Sequence, residues 1–320
     1  MTLAMSVARY RDRLNLIKRV WCERSTIRRI LSGNFQSLKW VPPGHYASPI
    51  PDIKKIHARS DIVYDRSPKA IPGIDINVEA QAALAHEFVT YYKDIPFPEK
   101  GQDGYRYYFD NSYFSYGDGV VLYSMLRQFK PKRVIEVGSG FSSAAMLDVN
   151  EKYCNGEIDF TFIEPSPDRL LSLLRNQDTE RCRIVRALVE EVPVRLFGDL
   201  RENDILFVDS SHVAKTDSDV LHLLFNILPS LNRGVILHFH DILWPFEYLS
   251  LWHDKGSFLN EAYFLRAFLQ YNSAFRVLYF NSMMEVYHAQ FLRSEMPLAM
   301  KRPSAPGMQG NASLWIRKIQ

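Results

Sequence analysis

The sequence predicts a doubly wound α/β fold around a mostly parallel, seven-stranded sheet with helices on both faces. Three observations carry this. From Arg133 onward, short apolar runs alternate with amphipathic stretches, the pattern of repeated strand–helix–strand units. Each run is rich in Val, Ile, Leu or Phe, as a strand covered on both faces requires. One run, Val134 to Val137, passes through Gly138-Ser139-Gly140 straight into a helix.

Taken in order, strands are expected at Arg133–Val137, Asp159–Ile163, Arg183–Arg186, Ile205–Val208 and Val235–Phe239, with two more near Phe275–Phe280 and Ser313–Lys318 closing the sheet. Helical spacing of Ala82, Ala85, Phe88, Val89 and Tyr92 predicts a helix over 78–92, ended by Pro96 and Pro98. A second runs from Gly117 to Phe129. Further helices are expected over Ser142–Glu151, Asp168–Arg175, Asp217–Leu228 and Asn260–Tyr271. Right-handed crossovers then bring all the loops that follow strand C-termini to one edge, where open α/β sheets bind ligands.

Ahead of this domain, residues 1–77 read as an extension. Its first 31 residues hold eight Arg or Lys against Asp12 and Glu23, although the net charge of the whole chain is only +3. With Leu14, Ile17, Val20, Trp21, Ile27, Ile30 and Leu31 at roughly helical spacing, it reads as an exposed helix on the domain, with weak contact to an anionic membrane surface as an alternative. Pro42, Pro43, Pro49, Pro51, Pro68 and Pro72 mark an arm without regular helix or sheet. The expected boundary is 1–77 and 78–320. Hydrophobic residues make up 47% of the chain, enough for a full core, yet no run approaches the roughly 18 to 20 apolar residues of a membrane span. A soluble, cytoplasmic protein is expected, with no nucleic-acid partner. Cys22, Cys154 and Cys182 are odd in number and far apart, with no CxxC pair, so neither a disulfide framework nor a zinc site is indicated.

The glycine turn is the first chemical signal. Its two glycines let the backbone turn sharply and approach a ligand that a Cβ would exclude. Against the dinucleotide fingerprint GxGxxG, position six is Ser143, and Glu136 stands in the strand just before the turn. Glu164 ends the second strand, with a carboxylate that can accept two hydrogen bonds at once.

Glu136-Val137-Gly138-Ser139-Gly140 resembles the first motif of the Rossmann-like, S-adenosylmethionine-dependent methyltransferases, and Glu164 resembles their ribose-binding acid. The passage Leu228 to Gly234, leading into the fifth strand, is similar to theirs too. The resemblance spans Tyr113 to Ile242. More narrowly, Tyr113 to Gly119, Asp209 to His212 and His240-Asp241 resemble an uncharacterised bacterial branch related to small-molecule O-methyltransferases. It implies S-adenosylmethionine as cofactor, held by Glu136, Gly138, Ser139, Gly140, Ser142, Glu164, Asp209 and Ser210. A small-molecule acceptor would contact Tyr116 and Asp118 before the first strand, and Trp244 and Tyr248 after the fifth.

For an oxygen acceptor the chemistry needs a general base. His240 is the first candidate and His212 the second, with Asp241 placed to orient an imidazole. Strand alternation puts His238 on the same face as His240, where it serves equally as a hydrogen-bonded core residue. Asp209 reads as a cofactor-side carboxylate, a metal ligand or a turn cap, and with Asp241 and His240 it partly matches the divalent-ion layout of catechol-type relatives. No metal is assigned. Two other classes stay open at this point: an NAD-dependent oxidoreductase on a similar sheet, and a non-catalytic binding protein on a methyltransferase fold.

Overall fold

The computed structural model describes residues 41–305 and 310–320. The basic leading helix expected before Leu31, and its surface contact, lie outside the described residues. Two compact units divide after Ser60. In the first, Asp52 caps the short helix Ile53–His57 by accepting from the Lys54 and Lys55 amides. Another short helix, Ser60–Val63, starts at that division. These two turns correct the expectation of an arm without regular helix. They fit between Pro51 and Pro68, where no proline removes an amide donor.

The second unit holds a seven-stranded sheet in the order β3-β2-β1-β4-β5-β7-β6. Its strands are β1 (Arg133–Val137), β2 (Asp159–Ile163), β3 (Cys182–Val185), β4 (Ile205–Val208), β5 (Ile236–Phe239), β6 (Phe275–Phe280) and β7 (Leu314–Lys318). The first five pair in parallel, and β7 runs antiparallel between β5 and β6. Burial explains the sequence pattern, because β4 and β5 are buried at every residue. The strand order reverses between β1 and β4, which opens a crevice at their C-terminal ends.

The principal helices are α1 (Val78–Tyr92), α2 (Tyr116–Phe129), α3 (Phe141–Tyr153), α4 (Asp168–Leu173), α5 (Asp219–His222) and α6 (Glu261–Leu269). Helix α2 is buried from Tyr116 through Leu126, so it lies in the interior with almost no polar face. The helix expected over 217–228 instead begins at Ser218, whose hydroxyl accepts from the Leu221 amide. It then widens into a π turn, Leu223–Ile227, before Pro229. No helix among the described residues is long and apolar enough to cross a membrane.

Candidate active site

Four backbone hydrogen bonds set the level of the site. The first residue beyond each of four strands donates its amide to the neighbouring strand: Gly138 to Ile163 (3.0 Å), Glu164 to Val185 (3.0 Å), Asp209 to Val137 (2.8 Å) and His240 to Val208 (2.9 Å). Sheet register thus delivers a glycine, two carboxylates and an imidazole to one edge.

Gly138 has φ +79°, and a Cβ there would stand 1.8 Å from the carbonyl oxygen of Asp209. The turn therefore needs glycine for its packing against the β4 corner, before any ligand arrives. Glu136, fully buried, faces the start of α3. Ser142 donates to its Oε1 (2.5 Å) and Ser143 to its Oε2, while the Gly140 amide donates to the Ser143 hydroxyl (3.0 Å). Burial pushes the Glu136 carboxyl up to about 8, against the pull of the two hydroxyls. Glu164 accepts from the Ser139 amide (3.2 Å) and the Ser166 amide (2.9 Å). Hence Glu136 braces the turn from inside, and Glu164 braces it from the crevice.

The crevice holds two cavities, of about 450 and 170 Å³, which share Gly138, Glu164, Asp209 and Ser210 in their walls. Ile163, Val189, Glu190 and Lys215 add to the larger, whereas Ser139, Gly140, Ser142, Tyr113 and Arg169 add to the smaller. Glu190 contributes a buried carboxylate oxygen that lacks a hydrogen-bond partner. Sequence reasoning passed over it; its one signal is the acidic pair Glu190-Glu191 just after β3.

At the corner of β4 and β5, ionisable groups converge. Asp209 Oδ1 lies 3.3 Å from both His212 Nε2 and His240 Nδ1. Asp241 stands 3.8 Å from each imidazole. Behind His212, Glu261 Oε2 meets Nδ1 at 2.8 Å; behind His240, Asp118 Oδ2 is 3.7 Å from Nε2. Burial alone would lower both imidazoles, but Asp209 and Glu261 around His212, and Asp209, Asp241 and Asp118 around His240, raise both well above the ordinary histidine value. Burial would raise Asp209, yet the two imidazoles hold it far below the usual carboxylate range. Burial raises Asp241 despite those same imidazoles. His212 and Asp241 both adopt left-handed backbone, φ +59° and +54°. Non-glycine residues hold that conformation at a cost, and it concentrates at working sites.

The remaining candidates fall in separate places. His238 is a core residue: its Nε2 bonds the Ser313 hydroxyl (2.8 Å), its ring stacks on Phe207 at 3.6 Å, and burial pushes its pKa well down. Ser210 reaches Glu261 at 3.3 Å. Asp118 is buried and accepts from Asn281 (2.8 Å) and the Ala312 amide, so it ties α2 to the segment before β7. Tyr116 stacks on Phe109 and donates to Glu99 (3.1 Å). Trp244 and Tyr248 are buried beside a third cavity of about 280 Å³ that shares no wall residue with the crevice. Tyr248 accepts from the Ala262 amide (2.9 Å). Among the described residues, no group of three or more His, Cys, Asp or Glu side chains is disposed to hold a metal ion.

Residues 135–242, from β1 through the β5 corner, match the family model described as "Methyltransferase domain". With the sheet order and glycine turn, this match marks residues 135–242 as a Rossmann-like methyltransferase domain. The chain belongs to the same family as an uncharacterised protein of Archaeoglobus fulgidus, to which it is 34% identical over 174 residues, covering 52% of this chain and 76% of the relative. Among solved structures it is similar to the methyltransferase PaMTH1 of Podospora anserina bound to SAH, at 15% identity and a TM-score of 0.41, covering 86% of this chain and all of that one. It is also similar to the O-methyltransferase TomG of Streptomyces achromogenes, at 12% identity and a TM-score of 0.41, covering 76% and 90%.

Proposed function

We propose that the chain moves a methyl group from S-adenosylmethionine to an oxygen of a small-molecule acceptor, with His212 taking the acceptor proton. The carrying observation is the corner where Asp209 joins two sets of groups. It lines both crevice cavities, and the same carboxylate touches both imidazoles.

The crevice suits the donor. Glu164 uses each oxygen once, for the Ser139 and Ser166 amides, and a carboxylate has about four lone-pair sites, so it can still accept ribose hydroxyls. The unpartnered oxygen of Glu190 suits an exocyclic amine in the larger cavity. Ser143 supports the donor over a dinucleotide. Where the dinucleotide fingerprint has its third glycine, for close helix packing, this fully buried serine bonds Glu136. When bound, S-adenosylmethionine supplies an electrophilic methyl group on a sulfonium centre.

His212 is preferred to His240 as the base for a geometric reason. Glu261 hydrogen-bonds His212 Nδ1, which fixes the tautomer that presents Nε2 to the Asp209 corner. His240 has no such bond behind it and acts as the cation that keeps Asp209 ionised. Asp241 stands beside both imidazoles as the partner of the transferred proton. Alignment of donor and acceptor in the crevice contributes the rest of the acceleration.

The test pairs binding with turnover. The purified protein should bind S-adenosylmethionine and its demethylated product at micromolar concentration and methylate hydroxylated small molecules. His212→Ala should lower turnover by about 10²- to 10⁴-fold while sparing donor affinity. Tight binding of NAD, with none of the sulfonium nucleoside, overturns the reading.

A further inference from the structure

Arg169 lies in the first turn of α4, exposed, at the mouth of the smaller crevice cavity. Its guanidinium carbon sits 3.7 Å from the centre of the Tyr113 ring, which stacks on Phe141 at 5.8 Å and 13°. Its Cδ lies 3.1 Å from where a Cβ on Gly140 would stand, so the bare glycine lets the arginine cross the turn. The guanidinium makes no hydrogen bond or ion pair with any described residue. Arg106 and Arg175, by contrast, spend theirs on Asp148, Glu151 and Asp178.

The charges of this cavity are therefore arranged in two halves. Glu164 and Asp209 stand on the wall it shares with the larger cavity, and the free guanidinium stands on the side of Tyr113. Such a cavity fits a zwitterion, with its ammonium toward the carboxylates and its carboxylate toward the guanidinium. An aromatic face under the guanidinium leaves the planar N–H edge open for a two-point bond to a carboxylate. We infer that Arg169, laid on Tyr113, grips the carboxylate of the donor's amino-acid end. This rests on the donor reading above, and it assigns Tyr113 as the positioning residue for that grip.

The experiment measures affinity by calorimetry for two nucleosides: S-adenosylhomocysteine, which carries the amino-acid end, and 5′-methylthioadenosine, which lacks it. Arg169→Ala should weaken S-adenosylhomocysteine by about 10- to 100-fold, the range for lost hydrogen bonds to a charged group, and leave methylthioadenosine unchanged. Arg169→Lys should fall between, because an ammonium keeps the charge and loses the fork. Tyr113→Leu should shift affinity in the same selective way by a smaller factor. Unchanged affinity for S-adenosylhomocysteine in Arg169→Ala, or an equal loss for both nucleosides, overturns the assignment while the donor reading stands. A parent protein that binds neither nucleoside overturns both.

Discussion

His212 Nδ1 lies 2.8 Å from Oε2 of Glu261, a carboxylate with 2% of its surface exposed. The raised pKa of His212 means that its neutral, proton-accepting form appears only above the ordinary value near 6.5. Turnover should therefore climb with pH above that value. Glu261→Gln keeps a hydrogen-bond acceptor but removes the charge, so the climb should move to lower pH. A pH–kcat profile that stays in place would remove the pair from the proton path, and S-adenosylhomocysteine affinity serves as the folding control.

Glu136 gives a stability signature. Its carboxyl is raised to about 8 in the folded chain, so the folded state holds that proton more tightly than the unfolded one. The stability linked to this proton is complete below the ordinary carboxyl value of about 4.3, and it is lost as pH rises toward 8. Across that window the loss is at most about 1.4 kcal/mol per pH unit. Glu136→Gln should flatten this part of a Tm-against-pH curve relative to the parent. Parallel curves from pH 5 to 8 would show that Glu136 is ionised in the folded chain.

Glu164 is read as the ribose acceptor. Glu164→Ala should cost about 1 to 3 kcal/mol of affinity for S-adenosylhomocysteine and for methylthioadenosine alike, since both carry the ribose. This common loss contrasts with the selective loss expected at Arg169. Full affinity in Glu164→Ala places the ribose elsewhere in the crevice.

Arg106 is buried and meets Asp178 through two bonds of 2.6 and 2.7 Å, and Asp148 at 2.8 Å. Its contact with half-exposed Glu151 adds little. Arg106→Ala leaves two buried carboxylates without their cation and should cost about 3 to 5 kcal/mol. A denaturant titration reads this as a lower midpoint at an unchanged slope. A change under about 1 kcal/mol would mean that water reaches the carboxylates.

The sheet was legible because burial on both faces leaves a strong mark. The limits of β1, β2, β4 and β6 follow from their apolar runs alone. Glu136, Gly138 and Glu164 could be located for the same reason, since each sits in or one step beyond such a strand. What the sequence concealed depends on distant partners. Glu261 lies 49 residues from His212, and nothing in its own helix marks it as the group behind an imidazole. Arg169 reads as one more charge on an exposed helix until Gly140 and Tyr113 are seen beneath it. The short helices between Pro51 and Pro68 escaped because a count of prolines overlooks the proline-free intervals between them.

The contact between Gly138 and the Asp209 carbonyl has a further consequence for how this protein can change. The loop read as gripping the donor and the corner read as receiving the proton abut as one rigid block, with no room for a single added carbon. A lineage exploring new acceptors cannot re-space these two parts against each other without breaking the fold. Its freedom lies at the periphery, in residues such as Leu188, which is half exposed beside the larger cavity, and in the stretch around Leu251 beyond β5. Directed evolution of this chain should accumulate its specificity changes there and leave positions 138 and 209 untouched.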